Sequence, residues 1–442
     1  MNEKKNVKKN NKKNDKKYDK KFDMKNDRNH EKKHDNIHGK KYSPASKCPV
    51  SGKCGGCSYI DTDYQKQLDM KYDMVKKLLK PYCEVEGIIG MDNPFHYRNK
   101  VHAVFAHKKD NTIISGVYKE GTHIVVPVEK CLIENEKADE IIGTIRRLLP
   151  SFKIKTFNED TGYGFFRHVL IRCGHKTGQI MVVLVVASPI FPSKNNFVKA
   201  LLKEHPEITT IVMNINDKKT SMVLGEREIN MYGKGYIEDI LCGKRFKISS
   251  KSFYQINSVQ TEKLYGKAIE FAGLTGKETV IDAYCGIGTI GIIASEKAGK
   301  VIGVELNSDA IADAKKNARM NKIENIDFYN NDAGKFMRQY AGMDSADVVF
   351  MDPPRSGSTV EFMDSMISIQ PEKIVYVSCD PNTLARDLKY MTNNGYKAVK
   401  AVATDMFPMT EHVETVVLMS KVNTQDAPNR DELGDKKEFI DW

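Results

Sequence analysis

Thr279-Val280-Ile281-Asp282-Ala283-Tyr284-Cys285-Gly286-Ile287-Gly288-Thr289 reads as a short apolar strand running into a glycine turn and then a helix. From Glu278 onward the same alternation of strand and helix repeats, which means a parallel sheet with crossover helices. Strands are expected at Thr279–Asp282, Lys300–Glu305, Ile326–Asn330, Asp347–Asp352, Lys373–Ser378, Ala398–Ala403 and Glu414–Met419, with no helix between the last two. The clearest helices are Ser308–Asn321 and Thr383–Asn393. This half of the chain is therefore an α/β, Rossmann-like domain with seven strands. Ligands of such sheets sit at the carboxyl ends of the strands.

Those ends carry the chemistry. Gly286 and Gly288 let backbone approach a ligand closely, with a helix N-terminus behind. Only two of the three glycines of a dinucleotide fingerprint are present, which disfavours NAD. Glu305 ends the second strand, 23 residues after Asp282. It can accept from two ribose hydroxyls, or simply cap the helix from Ser308. Asp332 follows the third strand and suits either an adenine contact or a helix cap. The fourth strand ends in Asp352-Pro353-Pro354-Arg355, whose prolines stiffen the loop. The fifth ends in Ser378-Cys379-Asp380-Pro381-Asn382-Thr383-Leu384-Ala385-Arg386-Asp387. A thiol there is either a small buried hydrophobe or a nucleophile.

Composition limits the rest. No run of about 18 apolar residues occurs, so no membrane span is expected. The N-terminus lacks an apolar signal-peptide core, which suggests a cytoplasmic protein. The net charge is +11, but residues 1–47 hold 17 Lys or Arg against 7 Asp or Glu, leaving 52 against 51 elsewhere. This Lys/Asn/Asp-rich tail cannot bury enough surface to order itself. It reads as an electrostatic arm for RNA or as a solvated low-complexity coil. Residues 48–250 read as a central α+β domain with an antiparallel sheet and helices near Glu136–Leu149 and Asn196–Glu204, preceded by a helix from about Tyr64 to Leu79. Residues 251–422 form the α/β domain, and 423–442 a C-terminal tail.

Nine cysteines are present, three of them close together as Cys48-x5-Cys54-x2-Cys57, with Cys131 downstream. The spacing fits an iron–sulfur cluster, structural zinc or unmetallated thiols. Cys83, Cys173, Cys242 and Cys285 read as core or loop thiols.

Several blocks, in order, resemble the RNA uracil-C5 methyltransferase family. They are Phe253-Tyr254-Gln255-Ile256-Asn257, Asp282 to Thr289, Glu305, Asp352 to Arg355, Ser378 to Asp387, and Phe407-Pro408-Met409-Thr410-Glu411-His412-Val413-Glu414. With the cysteine cluster they span residues 48–420. The resemblance implies a class I S-adenosylmethionine-dependent methyltransferase fold, and its cysteine pattern is that of the iron–sulfur-containing 23S ribosomal RNA enzymes. Their pattern implies a [4Fe–4S] cluster on Cys48, Cys54, Cys57 and Cys131. Uracil C5 is too weak a nucleophile unless a thiolate first adds at C6. The resemblance gives that role to Cys379 and removal of the C5 proton to Glu414, which could otherwise be a charged residue opening a strand. It assigns Gln255, Tyr284, Thr289, Glu305, Asp332 and Asp352 to S-adenosylmethionine, and Phe253 to stacking on the target base. Many family members begin with a small β-barrel RNA-binding module, and here the Lys-rich tail stands in that place. The expected enzyme is a monomer that modifies 23S ribosomal RNA. A T-loop uridine of transfer RNA is the alternative substrate, and an RNA-folding or assembly factor the alternative class. The target base must be swung out of its fold to react.

Overall fold

A computed structural model describes residues 46–218, 222–341 and 345–422. The tails expected at 1–47 and 423–442 fall outside this range, apart from Ser46 and Lys47. The described chain opens with α1 (Tyr64–Leu79), capped by Asp63, whose side chain accepts from the N–H groups of Gln65 and Lys66. β1 (Glu84–Ile89) follows.

The central sheet is built from β2 (Lys100–His107), β3 (Ile113–Tyr118), β4 (Val125–Pro127), then, after α2 (Glu136–Ser151), β5 (Phe166–Cys173) and β6 (Ile180–Val186), and after α3 (Lys194–Glu204), β7 (Ile208–Ile215) and β8 (Arg227–Tyr232). The spatial order is β4-β3-β2-β5-β6-β7-β8. β5 and β6 form the expected antiparallel hairpin, but β6 and β7 run parallel, because α3 carries the chain back between them. Val101, Ala103, Phe105, Val169 and Ile171 share a core with Ile141 and Ile145 of α2 and Phe197 and Leu201 of α3. Leu170, Met181, Val183, Val185 and Val212 instead join a core with the hairpin β9 (Ile237–Leu241)–β10 (Lys244–Ile248) and with α4 (Ser258–Ala272).

The second sheet holds β11 (Thr279–Asp282), β12 (Lys300–Glu305), β13 (Ile326–Asn330), β14 (Val348–Met351), β15 (Lys373–Ser378), β16 (Tyr396–Thr404) and β17 (Glu414–Lys421). The helices between its strands are α5 (Thr289–Ala294), α6 (Ser308–Met320), α7 (Ala333–Tyr340), α8 (Val360–Ile369) and α9 (Pro381–Thr392). Its order is β1-β16-β17-β15-β14-β11-β12-β13, with β17 antiparallel to both neighbours. This is the α/β methyltransferase sheet anticipated from sequence, with an eighth strand. β1 lies parallel to β16, and Glu84 pairs with Lys400. Val75 and Leu79 of α1 and Val85 of β1 belong to the same core as Leu384, Leu388 and Met391 of α9, because the sheet edge needs an apolar cover.

A buried ion pair fixes this N-terminal segment. Lys71 Nζ lies 2.6 Å from Asp405 Oδ1, and both side chains are almost fully enclosed. Lys71 also donates to Phe407 O, and the Tyr64 hydroxyl donates to Asp405 Oδ2. Burial lowers the Lys71 pKa, and Asp405 opposes the shift. Lys71→Ala strands a buried carboxylate, so unfolding free energy is expected to fall by about 3–5 kcal/mol. Urea denaturation checks this; a loss under about 1 kcal/mol, the range of a surface pair, would contradict it. Among the described residues, no helix is long and apolar enough to cross a membrane.

Candidate active site

Strand direction brings the sequence blocks together. β11, β12, β14 and β15 are parallel, so Asp282, Glu305, Asp352 and Cys379 all come to one end of the sheet. β17 runs the other way, so its first residue, Glu414, starts at that same end, next to Thr415, which pairs with Ser378. A residue at the start of one strand and one just past the end of another thus become neighbours.

The electrostatics are unusual. Glu414 is buried, and its Oε2 has no hydrogen-bond partner. Burial raises its pKa, and the charge of Asp352 raises it further; Asp352 is itself raised by desolvation. Asp282 is pushed up to about 7 by burial and then by Asp352 and Glu305, although Gly291 N–H donates to its Oδ2 at 2.8 Å. Asp282 Oδ1 has no partner. None of these shifts is offset by a basic side chain. Acid groups crowded this way suit a cationic ligand such as a sulfonium carrying an ammonium group. The half-buried Cys379 thiol is pushed up to about 11, chiefly by desolvation and then by Glu414 and Asp352, with Arg355 opposing.

Other predicted residues have legible local roles. Glu305 accepts from Gly286 N–H at 3.2 Å and from Asn307 N–H at 2.8 Å, which ties the glycine turn to the second strand. Asp332 caps α7, accepting from Lys335 N–H. Tyr284 lies against Phe362, and its hydroxyl is 3.5 Å from Ser358 Oγ. Phe253 is 64 % exposed, as a stacking platform requires. Gln255 and Thr289 both lie beside the buried Tyr265 hydroxyl, close to Asp352 and Glu414. Sequence reading missed Tyr265, which sits on the apolar face of α4 beside Leu264 and Ala268 and looks like core.

The tail of the cysteine block braces the Asp-Pro-Pro loop. Asp387 Oδ2 accepts from Ser358 N–H at 2.7 Å and from the Tyr376 hydroxyl at 2.6 Å. Arg386 Nη2 donates to Ser356 O and Ser358 O. Gly357, at φ +76°, admits this approach; a Cβ there would lie 2.5 Å from Arg386 Nη2. Arg355 Nη2 reaches His412 Nδ1 at 3.0 Å, joining this loop to the block that ends in Glu414.

Cys48, Cys54, Cys57 and Cys131 line one pocket with Ile60 and Ile133. Among the described residues, no three or more His, Cys, Asp or Glu side chains are grouped so as to hold a metal ion. Burial raises Cys57 to about 11 and Cys131 to about 12. Cys173 and Cys285 are buried, and Cys83 and Cys242 half-buried, as core and loop thiols should be.

The family model described as tRNA (uracil-5-)-methyltransferase matches residues 63–422. A Clostridium acetobutylicum protein described as an RNA methyltransferase is 43% identical over 384 residues, covering 85% of this chain and 83% of its own length. A Listeria monocytogenes protein with the same description is 42% identical over 380 residues, covering 84% and 83%. Among solved structures, the Pyrococcus abyssi tRNA (uracil-54, C5)-methyltransferase in complex with S-adenosyl-L-homocysteine superposes with a TM-score of 0.70 at 29% identity, covering 83% of this chain and 86% of that one.

Proposed function

Because the chain belongs to the tRNA (uracil-5-)-methyltransferase family, and so is an RNA methyltransferase, we propose that it methylates C5 of a uridine in 23S ribosomal RNA, with Cys379 as nucleophile and Glu414 as base. The observation that carries this reading is the meeting of Cys379, Asp352 and Glu414 at one end of adjacent strands. The Cys379 thiolate adds to C6 of the ring, which makes C5 enolate-like. S-adenosylmethionine supplies an electrophilic methyl group on a sulfonium. C5 then bears both methyl and hydrogen. Glu414 takes that proton, and the electron pair of the broken C–H bond expels the thiolate from C6.

Gln255, Tyr284, Thr289, Glu305, Asp332 and Asp352 are the residues proposed to hold S-adenosylmethionine. The uncompensated acid groups at the strand ends support that assignment. Asp332 and Glu305 each keep one function already, as helix cap and as anchor of the glycine turn.

A [4Fe–4S] cluster on Cys48, Cys54, Cys57 and Cys131 belongs to the same proposal. Its support is the ligand spacing and the pocket that all four thiols share. Arg98 lies close enough to favour the thiolates of Cys54 and Cys57. The cluster would tie the start of the described chain to the loop carrying Cys131. Protein purified without oxygen should contain iron and absorb broadly in the visible; its absence from such a preparation removes the cluster.

The ribosomal substrate rests on that cysteine pattern. A T-loop uridine of transfer RNA is the second reading, favoured by the likeness to the archaeal enzyme. Mapping 5-methyluridine in RNA from a deletion strain and its parent separates them. Loss of a mark from 23S ribosomal RNA supports the first reading, loss from transfer RNA the second. An unchanged map, which would also fit an assembly factor, overturns both. The proposal carries a monomer working in the cytoplasm, where its RNA is made.

A further inference from the structure

The central sheet contains a cationic site that the reaction above does not use. On β2, Val101, Ala103 and Phe105 face the helices, so Lys100 and His102 face the other way. Lys100 pairs directly with Arg172 of β5 across the antiparallel ladder. Like charges placed opposite each other in a sheet are destabilising, so a partner of opposite sign is expected between them. None is present: among the described residues no carboxylate hydrogen-bonds or ion-pairs with either side chain. Arg172 is 5% exposed, and its Nη2 donates to Ser250 O at 3.1 Å and Ser252 O at 2.6 Å. Both acceptors are neutral carbonyls, and Arg172 Nε is left buried without a partner. Lys100 is half-exposed. Burial lowers its pKa, and Arg172 and Arg98 lower it further, with no acid group opposing. The next side chain on this face of the strand is no acid either: the His102 ring lies tilted against His168 with centroids 5.0 Å apart, and its Nε2 is unpartnered.

The site adjoins the reaction centre. Arg172 holds Ser250 and Ser252, immediately before Phe253, and Asn99 Nδ2 donates to Gln255 O at 2.9 Å and to Ser258 Oγ at 2.9 Å. The loop bearing the exposed ring of Phe253 is thus tied at both ends to residues flanking Lys100.

We propose that Lys100, backed by the charge of Arg172, binds one phosphodiester group of the RNA strand beside the nucleotide delivered to the catalytic pocket. This rests on the reading of the chain as an enzyme acting on RNA. Lys100 makes the contact, because it can be reached by solvent. Arg172 adds field from behind it and holds the Phe253 loop. The phosphate would supply the negative charge the pair lacks.

The test uses the full chain with Lys100→Gln and Lys100→Arg, and two probes, a 23S ribosomal RNA transcript and an unmodified transfer RNA transcript. RNA affinity is measured across a range of salt, with S-adenosylhomocysteine affinity and thermal melting alongside. Lys100→Gln should weaken binding of the accepted RNA by about tenfold near 0.1 M salt and lower the slope of log K against log salt by about one. Lys100→Arg should restore both, and S-adenosylhomocysteine should bind all three proteins equally. The basic N-terminal tail contributes the same background to each. An unchanged slope and affinity in Lys100→Gln overturns the proposal, as does an equal loss in Lys100→Arg, which a merely structural role would give. Methyl incorporation by the wild type is scored separately. If neither RNA is methylated the proposed function fails, while the salt slope still decides the phosphate site.

Discussion

Cys379→Ala is expected to reduce methyl transfer to RNA by on the order of 10⁴-fold or more while S-adenosylmethionine still binds. Under the proposed mechanism the substitution removes the atom that makes C5 reactive, and no described neighbour takes its place. Cys285, the other thiol at the strand ends, is 3% exposed and packed under the glycine turn, and burial drives its pKa upward. The Cys379 thiol itself is held up to about 11 by its surroundings, so the free enzyme keeps it protonated. Under the proposed mechanism the bound sulfonium brings positive charge to these surroundings and favours the thiolate. Single-turnover incorporation of labelled methyl groups, with calorimetry of S-adenosylhomocysteine binding, provides the check. Residual activity within tenfold of wild type would rule out the covalent route.

The second large effect concerns release of the product. Glu414→Gln keeps shape and size but removes the carboxylate proposed to accept the C5 proton. Methylated RNA should then stay bonded through C6 to Cys379, and turnover should fall about 10²–10⁴-fold. Equimolar enzyme and RNA should give a band that survives denaturing electrophoresis, and the double variant with Cys379→Ala should lose it. A pH dependence follows from the direction of the shift. Burial and Asp352 raise the Glu414 pKa, so the carboxylate needed as base is scarcer at acidic pH than for an ordinary glutamate. Adduct breakdown in the wild type should therefore accelerate as pH rises, and the Gln variant should lose that dependence. Absence of a trapped adduct in Glu414→Gln, with turnover intact, would assign the proton to another group.

The parallel strands were readable because both their faces are enclosed, which leaves unbroken apolar runs. All of β15 beyond Lys373 is buried. β1 was unreadable for the opposite reason. Its Glu-Val-Glu-Gly-Ile-Ile pattern belongs to an edge, with only Val85 fully buried, and its partner lies 316 residues away. The candidate site blocks announced themselves through residue types that packing alone would not select, such as Cys379-Asp380-Pro381 after a strand and paired prolines after Asp352. Tyr265 sent no such signal, because a tyrosine among apolar helix positions looks like any other core residue. Lys100 was equally silent, since its meaning comes from an arginine across the ladder rather than from its own neighbours in the chain. The cysteine spacing was legible as a ligand pattern, whereas the pocket that gathers Cys131 with the first three depends on a fold that the spacing does not display.

The late partner of β1 bears on how the polypeptide matures. Every pairing within the sheet from β2 to β8 lies between Lys100 and Tyr232, so that half can close while translation is still under way. Glu84 must wait for Lys400, and Lys71 for Asp405. Contacts so far apart are slow to form, and a nascent chain emerges at about 5–20 residues per second. For tens of seconds α1 and β1 therefore lack the apolar partners of α9 with which they share a core. A product terminated before Glu414 would lack β17 and leave β15 and β16 without the strand that joins them, a sheet edge open to aggregation.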